Sequence, residues 1–310
     1  MLRYRADIRT LAFVAIFYGL VVFAYTVHPE SLWLRIPLIF VICVWSFFCA
    51  VIAHNTIHCP IFRNRTLNRI FQIVLSPAYG HPVASYVPGH NLSHHRYLQT
   101  PKDIMRTYKL RYRWNLLNQL FFFHTIAGKI TSDEIAYARV MRRKRAGWFR
   151  QLVVEGIFFL AIVGVAFWID WEKALQYIVI PHQYAAWGIV GINFVQHDGC
   201  DAKSPWNHSR NFVGKWVNWW TFNNGFHGMH HMKPGLHWSL LPAAHHAELG
   251  PNLHPALEQR ALLPYLFRAY VYPGKRVTYD GKPVVLPPRD EDESWITGAT
   301  PEVDPVYEEA

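Results

Sequence analysis

Long apolar stretches alternate with basic and polar segments along this chain. Four of these stretches lie at about residues 11–27, 32–53, 152–171 and 175–195. Each has close to the ~20 apolar residues that a helix needs to cross the hydrocarbon core of a bilayer. The pattern therefore predicts an all-α integral membrane protein with four transmembrane helices.

Two further apolar segments are too short or too interrupted to cross a bilayer. Residues 70–87 are broken by Pro77, Gly80 and Pro82, and we expect them to lie along the membrane interface or in a cap outside it. Residues 114–126 are apolar with flanking bases, which predicts an amphipathic interfacial helix.

The remaining segments complete the predicted organisation. We expect one membrane domain over residues 1–272, in which residues 54–150 and 196–272 form a cytosolic, histidine-rich helical cap. From residue 273 to 310, prolines, glycines and acids dominate, and this composition indicates an extended or disordered acidic tail.

Charge predicts how the chain is oriented in the membrane. Between His54 and Arg150 there are 16 Lys or Arg residues and three acids, whereas after Tyr272 there are nine acids and four bases. Basic segments next to membrane spans stay on the cytoplasmic side, so we expect both termini and the long loop to be cytoplasmic. A net charge of +10 is also compatible with nucleic-acid binding. The flanking spans favour a membrane surface instead, and we expect no nucleic-acid partner.

Histidines form the most informative pattern in the sequence. Nine of them fall into four short clusters: His54 and His58; His90, His94 and His95; His197; and His227, His230 and His231. Residues three and four apart are neighbours on a helix, so each cluster can direct its imidazoles to one point. Neutral imidazole is the commonest metal ligand among side chains, and nine exceed the needs of one metal ion. The clusters predict a polynuclear metal centre on the cytoplasmic side.

The surroundings of these clusters narrow the metal chemistry. Ligand sets of nitrogen without cysteine suit iron, zinc or copper. Soluble di-iron bundles use Glu-x-x-His pairs, and this sequence contains no such pair. Asp198 and Asp201 are candidates to accept hydrogen bonds from the ligand Nδ1–H groups. The other nine histidines are expected to be structural: His28, His81, His124, His182, His208, His237, His245, His246 and His254.

The boxes HxxxH, HxxxHH and HxxHH, in this order and between paired spans, resemble the histidine boxes of the membrane fatty acid desaturase family. The resemblance extends to the residues around the last box, Asn223 to Phe226 before it and Met232 to Pro242 after it. Asn193 with His197 matches the NxxxH pattern of similar enzymes. Related hydroxylases and ketolases share the boxes, so the resemblance does not specify the substrate.

The family resemblance implies a di-iron site and an oxygen-dependent reaction. It implies two iron ions held by the nine clustered histidines, with Asn193 acting through a water molecule, and O₂ as co-substrate. The implied activity is desaturation of a fatty acyl or similar lipid chain. The alternative is hydroxylation or ketone formation on a lipid or carotenoid at the same site. A non-enzymatic membrane metal-binding protein is a less favoured alternative.

The expected partners follow from the same resemblance. No segment resembles an electron-transfer domain, so we expect electrons from a separate donor of the ferredoxin, rubredoxin or cytochrome b5 type. No catalytic residue is expected beyond the metal centre. The lipid chain is expected to lie in a tunnel lined by aromatic side chains, with Trp187, Phe194, Trp219, Trp220 and Phe222 as candidates.

Overall fold

A computed structural model describes residues 1–296 of the chain. Most of these residues are helical. The α-helices are α1 (Asp7–Val27), α2 (Leu32–His58), α3 (Arg65–Tyr79), α4 (Asn115–Lys144), α5 (Ala146–Ile169), α6 (Trp171–Ala174), α7 (Ile180–His197), α8 (Lys215–Trp220), α9 (His227–Met232), α10 (Leu241–Ala244) and α11 (Leu262–Leu266).

Shorter elements connect these helices. Two-residue strands β1 (Asn211–Phe212) and β2 (Glu258–Gln259) pair in parallel. The 3-10 and π segments are Val83–Ser85, Pro88–His95, Thr107–Lys109, Leu175–Val179, Trp238–Leu240, His245–Leu249, Gly250–Asn252, Pro255–Leu257 and Phe267–Val271.

Four helical segments of the described chain are long and apolar enough to cross a membrane. They are α1, α2, α5 and the continuous segment Trp171–His197, which joins α6 to α7 through a π turn and is called the fourth span below. The predicted all-α membrane class with four spans is therefore confirmed. The observed α2 continues past residue 53 through His58, so the HNTIH box lies on its last turns.

The ends of the helices have local causes in the sequence. The side chain of Asn64 accepts a hydrogen bond from the Leu67 amide at 3.0 Å and so caps the start of α3. The helix ends at Gly80, whose φ of 93° is left-handed and favours glycine. At the tight turn after α5, the Asp170 carboxylate caps α6 by accepting from the Lys173 amide at 3.0 Å.

The described chain forms two compact units. Unit 1 contains Met1–Val87 and Tyr137–Ile189, and unit 2 contains Pro88–Ala136 and residues 190–296. In unit 1, α1 packs against α2, α2 against α3, and α3 against α5. Within the segment 70–87, residues up to Tyr79 belong to α3, which buries Phe71 and Leu75 while Arg65 and Arg69 stay exposed.

Unit 2 has its own aromatic core. Phe122 of α4 packs against Phe194 of α7 with ring centroids 4.9 Å apart, and both side chains are fully buried. The helix predicted at residues 114–126 is longer than expected, because α4 continues to Lys144.

The C-terminal segment of unit 2 is irregular. Residues 273–296 contain no helix, and they have a turn at residues 279–280 and an isolated bridge between Val277 and Pro283. The rest of the predicted tail, residues 297–310, lies outside the described residues. The single domain proposed for residues 1–272 stays a prediction.

Candidate metal centre

Four histidines of unit 2 bring their ring nitrogens together. His94, His197, His227 and His231 each offer a nitrogen within 4.8 Å of the others, and we call them the four-histidine group. The Nε2 atom of His197 lies 2.8 Å from that of His227 and 3.1 Å from that of His231. Nitrogens bound at about 2.1 Å from one metal and at right angles lie about 3 Å apart. The group therefore has the spacing of a metal ligand set.

Three more histidines of unit 2 form a second set. The Nε2 atom of His95 lies 3.0 Å from that of His90 and 3.1 Å from that of His230, and we call these residues the three-histidine group. The rings of His95 and His231 stack with centroids 4.1 Å apart. The two groups are therefore adjacent, as two neighbouring metal ions require.

The second and third boxes each contribute to both groups. His94 belongs to the four-histidine group, while His90 and His95 belong to the other. The segment Pro88–His95 is a π-helix rather than the α-helix assumed from the spacing. In its wider turn, residues five apart come together, which pairs His90 with His95. The expectation that each box directs its imidazoles to one point is therefore wrong for the second and third boxes.

The last box keeps its α-helical spacing in α9. His227 and His231 are four residues apart and their Nε2 atoms are 3.1 Å apart in the same group. His230 is displaced by about 100° around the helix from His231 and lies in the three-histidine group. Adjacent histidines in a box thus serve neighbouring sites.

The first box lies in unit 1. His54 and His58 are buried on α2, and their ring centroids are 5.2 Å apart. His54 Nδ1 is 3.1 Å from Asn55 Oδ1. The two rings are therefore neighbours, as the spacing predicts, and their membership of the ligand set stays a prediction.

A buried carboxylate orients His94. His94 Nδ1 lies 3.1 Å from Asp103 Oδ2, and both side chains are fully buried. Asp103 also accepts from the backbone amides of Gln99 at 2.9 Å and Met105 at 2.8 Å. These bonds fix the carboxylate and place the proton on Nδ1. His94 Nε2 is buried and has no hydrogen-bond partner within residues 1–296, which leaves its lone pair available to bind a metal ion.

Backbone carbonyls orient His197 at the end of α7. Its Nδ1–H donates to the carbonyl of His208 at 3.0 Å, so Nε2 carries the lone pair. The buried guanidinium of Arg210 donates to the carbonyls of Val195 at 2.8 Å and Asp198 at 3.0 Å. A cation at a helix C-terminus satisfies carbonyls that have no partner within the helix. Residues 208–210 therefore hold the end of the helix that carries His197.

The direct hydrogen bonds from ligand Nδ1–H groups expected for Asp198 and Asp201 are not formed, so that expectation is wrong. Asp198 instead accepts from the guanidinium of Arg276, and Asp201 accepts from the backbone amide of Lys203 at 3.0 Å. Sequence reasoning missed Asp103, although it is one of only three acids between His54 and Arg150. The carbonyl of His208 has no sequence signal, because every residue carries a backbone carbonyl.

Burial favours the neutral form of His231 in the four-histidine group. Burial holds the pKa of His231 well below its ordinary value, and the neighbouring rings of His95 and His227 lower it further. Neutral imidazole is the form that binds a metal.

Asn193 is suited to the role expected of it. It lies one turn before His197 on α7, and it is buried. Neither its side-chain oxygen nor its nitrogen has a hydrogen-bond partner in the described part of the chain. A buried amide without partners is costly, so a ligand or bound water near Asn193 is physically favoured.

Other histidines expected to be structural have protein partners. His237 Nδ1 lies 2.8 Å from Ser239 Oγ, His245 Nε2 lies 3.0 Å from Glu258, and His182 Nε2 donates to the Pro77 carbonyl at 2.8 Å. These contacts are consistent with structural roles.

The aromatic residues proposed to line a lipid tunnel lie in different surroundings. Phe222 is buried against Trp238, with ring centroids 5.4 Å apart. Trp219 is 47% exposed. Trp187 belongs to unit 1, where its ring lies 5.9 Å from that of Tyr184. The tunnel stays a prediction.

The residues present fit transition-metal ions. The two adjacent groups supply imidazole nitrogens, and nitrogen ligand sets of this kind suit iron, zinc or copper. The model of one protein family, fatty acid desaturase, matches residues 31–260. The chain belongs to the fatty acid desaturase family. Among curated proteins, the chain has no match.

Family membership establishes the general type of protein. The match includes all four histidine clusters and the three spans from α2 onward. This desaturase-family chain is a membrane protein, and its family implies an oxidoreductase of the desaturase or hydroxylase type. The matched region ends before residues 261–310.

Proposed function

We propose that this protein is an O₂-dependent di-iron desaturase that introduces a double bond into a fatty acyl or similar lipid chain. The observation that carries the proposal is the pair of adjacent, largely buried histidine groups in a member of the desaturase family. Four candidate spans support a substrate that comes from the membrane.

The proposed ligands divide into two sets. His94, His197, His227 and His231 would hold one iron ion, with Asn193 acting through a water molecule. His90, His95 and His230 would hold the other. His54 and His58 on α2 are proposed as the remaining ligands, because the family resemblance includes the first histidine box in the ligand set. When bound, a di-iron centre supplies the reductive activation of O₂ and the removal of hydrogen from an unactivated C–H bond.

The protein's own groups prepare the site for that chemistry. Asp103 and the carbonyl of His208 hold the Nδ1–H groups of His94 and His197, so each ring presents Nε2. The buried side chain of Asn193 offers an oxygen and a nitrogen to hydrogen-bond a ligand water. Burial of most of the ligands keeps bulk water away from the reacting atoms.

The remaining parts of the proposal concern partners and orientation. The basic residues between His54 and Arg150 support a cytoplasmic site with both termini on the same side. Electrons would come from a separate ferredoxin, rubredoxin or cytochrome b5 type protein.

A hydroxylase or ketolase acting on a lipid or carotenoid is the second candidate. The family match supports hydroxylation and desaturation equally, because the two reactions differ only after the first hydrogen has been removed. A membrane metal carrier fits less well. Transport sites lie near the bilayer midplane, whereas His58 and His197 are the last residues of their spans.

Lipid analysis of cells that produce the protein tests the proposal. A desaturase yields a lipid that has lost two hydrogens, and the His94→Ala variant yields none. A product that gains oxygen identifies the hydroxylase or ketolase. Metal analysis of purified protein is expected to give two irons per chain, together with substrate-dependent O₂ uptake. A single zinc without O₂ uptake would contradict the proposal.

A further inference from the structure

The segment of residues 273–296 packs on unit 2, and we call it the C-terminal strap. It lies beyond the region matched by the family, which ends at residue 260. Its composition is that of a polar tail, but its side chains make several contacts with buried groups of unit 2.

Arg276 makes the most extensive of these contacts. Its Nε donates to Asp198 Oδ1 at 2.8 Å. Its Nη1 donates to the carbonyl of Leu110 at 2.7 Å, and its Nη2 donates to the carbonyl of Thr107 at 3.0 Å. The side chains of Arg276 and Asp198 are 8% and 4% exposed, so this is a buried ion pair. One guanidinium thus joins the end of α7 to the loop at residues 107–110.

Both segments that Arg276 joins support metal ligands. Asp198 directly follows His197, which is the last residue of α7. The loop at residues 107–110 closely follows Asp103, whose carboxylate orients His94. His94 and His197 belong to the four-histidine group, and their ring centroids are 4.8 Å apart. Arg276 therefore links the supports of two ligands that must point at one ion.

Other residues of the strap also bind near the two segments that Arg276 joins. The amide of Tyr279 donates to the carbonyl of Gly199 at 2.9 Å, just beyond α7. Further along, Asp290 pairs with Arg106 at 2.9 Å and Asp292 pairs with Lys109 at 2.7 Å. Partial burial by itself raises the pKa of Asp292. Hydrogen bonds from Lys109 and Arg106 outweigh that effect and hold the pKa below its ordinary value, which keeps the carboxylate ionised at neutral pH.

Trp295 provides the last anchor. Its side chain is 5% exposed, and its Nε1–H donates to Asp133 Oδ2 at 3.0 Å on α4. The strap is therefore fixed by aromatic burial as well as by ion pairs.

We propose that the C-terminal strap is part of the metal centre and that Arg276 is a positioning residue that fixes His94 and His197 relative to each other. The inference rests on the proposed metal site. Ligand sets work only when their residues are held to about 0.5 Å. A guanidinium with three separate acceptors on two segments supplies that restraint, whereas a single surface ion pair does not.

Metal release from the full-length protein tests the proposal. Iron-loaded protein is mixed with a chelator, and the rate of iron release is measured with the melting temperature of the metal-free protein. Arg276→Ala is expected to release iron about 10- to 100-fold faster, in line with the loss of metal affinity when residues that support ligands are replaced. Arg276→Lys keeps the charge but cannot make all three bonds, so it is expected to fall between Arg276→Ala and the native protein.

Lys282→Ala is the matched control on the same strap. Lys282 is 79% exposed and pairs with Asp280, so its removal is expected to leave release unchanged. A lower melting temperature of Arg276→Ala with native release would show that the strap only stabilises the fold, and would overturn the proposal. If Arg276→Ala does not fold, Arg276→Lys decides: native release with that variant overturns the proposal, and faster release at a native melting temperature supports it.

Loading with Co²⁺ separates this inference from the proposed function. Native protein that binds Co²⁺ but retains no iron would refute the di-iron desaturase. The release of Co²⁺ from the Arg276 variants would still test the positioning role. Equal Co²⁺ release from native and variant proteins would overturn that role.

Discussion

Helix α5 and the fourth span both cross the predicted membrane, but they differ in what surrounds them. Of the most apolar stretch of α5, 11% is buried, against 56% for the fourth span. Leu160 and Ile157 of α5 are more than half exposed, at 66% and 63%. The fourth span instead buries Asn193, Gln196 and His197 near its end.

The difference shows that the surroundings of a span decide which polar residues it can carry. Positions of a helix that face lipid must be apolar, because a polar side chain there would have no partner. A helix enclosed by protein can carry polar residues when other residues hydrogen-bond them. Of these two spans, the more enclosed one carries His197, a proposed metal ligand.

Replacement of His197 tests this comparison with the largest expected effect. We expect His197→Ala to abolish turnover and to lower the iron content, because the four-histidine group loses a central nitrogen. Leu160→Ala in α5 is the matched control, since its side chain faces outward and its loss is expected to leave both quantities near native. Iron analysis and product formation measure both variants. Native turnover by His197→Ala would remove this residue from the ligand set.

Asp103→Asn tests how far metal binding by His94 depends on a carboxylate that lies outside the spans. The amide can still accept from His94 Nδ1–H, but it lacks the negative charge that makes His94 Nε2 a stronger metal ligand. We expect metal affinity to fall about 10- to 100-fold, as measured by competition with a chelator. Asp201→Asn is the control, because Asp201 is exposed and bonds within its own turn. Equal affinities for the two variants would show that the carboxylate charge at Asp103 does not matter.

Glu155 is the one acidic residue of α5 and gives the smallest expected effect. Its carboxylate accepts from the Ala84 amide at 2.7 Å and from Gln151 Nε2 at 2.8 Å. Glu155→Ala leaves a buried amide without its partner, which costs about 1–3 kcal/mol of folding free energy. We expect a lower melting temperature in detergent and a native iron content.

Glu172→Ala, at an exposed position of α6, is the control for general effects of removing an acid. A native melting temperature for Glu155→Ala would mean that this acid does not stabilise the protein. Loss of iron at a native melting temperature would instead give α5 a role in the metal site, and would contradict the contrast between α5 and the fourth span.

The sequence predicts the features that depend on composition over a long window. All four spans are recognisable because a run of about 20 apolar residues is the length that a bilayer core requires of a helix. The boxes are recognisable because histidines at helical spacing are rare. The bounds are less accurate, since α2 runs through His58 and α4 through Lys144.

Features that depend on a few contacts escape the sequence. Spacing alone favours an α-helical pairing of His90 with His94. In the π conformation of Pro88–His95, His90 pairs with His95 instead. Asp103 lies nine residues after His94, and Arg276 lies 78 residues after Asp198, so no local pattern connects these pairs. The composition of the strap predicts an extended or disordered tail. It does not reveal the contacts with Asp198 and Arg106, because these residues are distant in sequence.

The sequence by itself determined the class of protein, its four spans and the grouping of nine histidines into candidate ligand clusters, because bilayer thickness and ligand chemistry act on residue type and spacing. Only the tertiary structure decided which histidines of unit 2 share a group and which residues orient them. Those assignments depend on the direction of each ring and on atoms brought within about 3 Å from distant parts of the chain, which residue spacing does not specify.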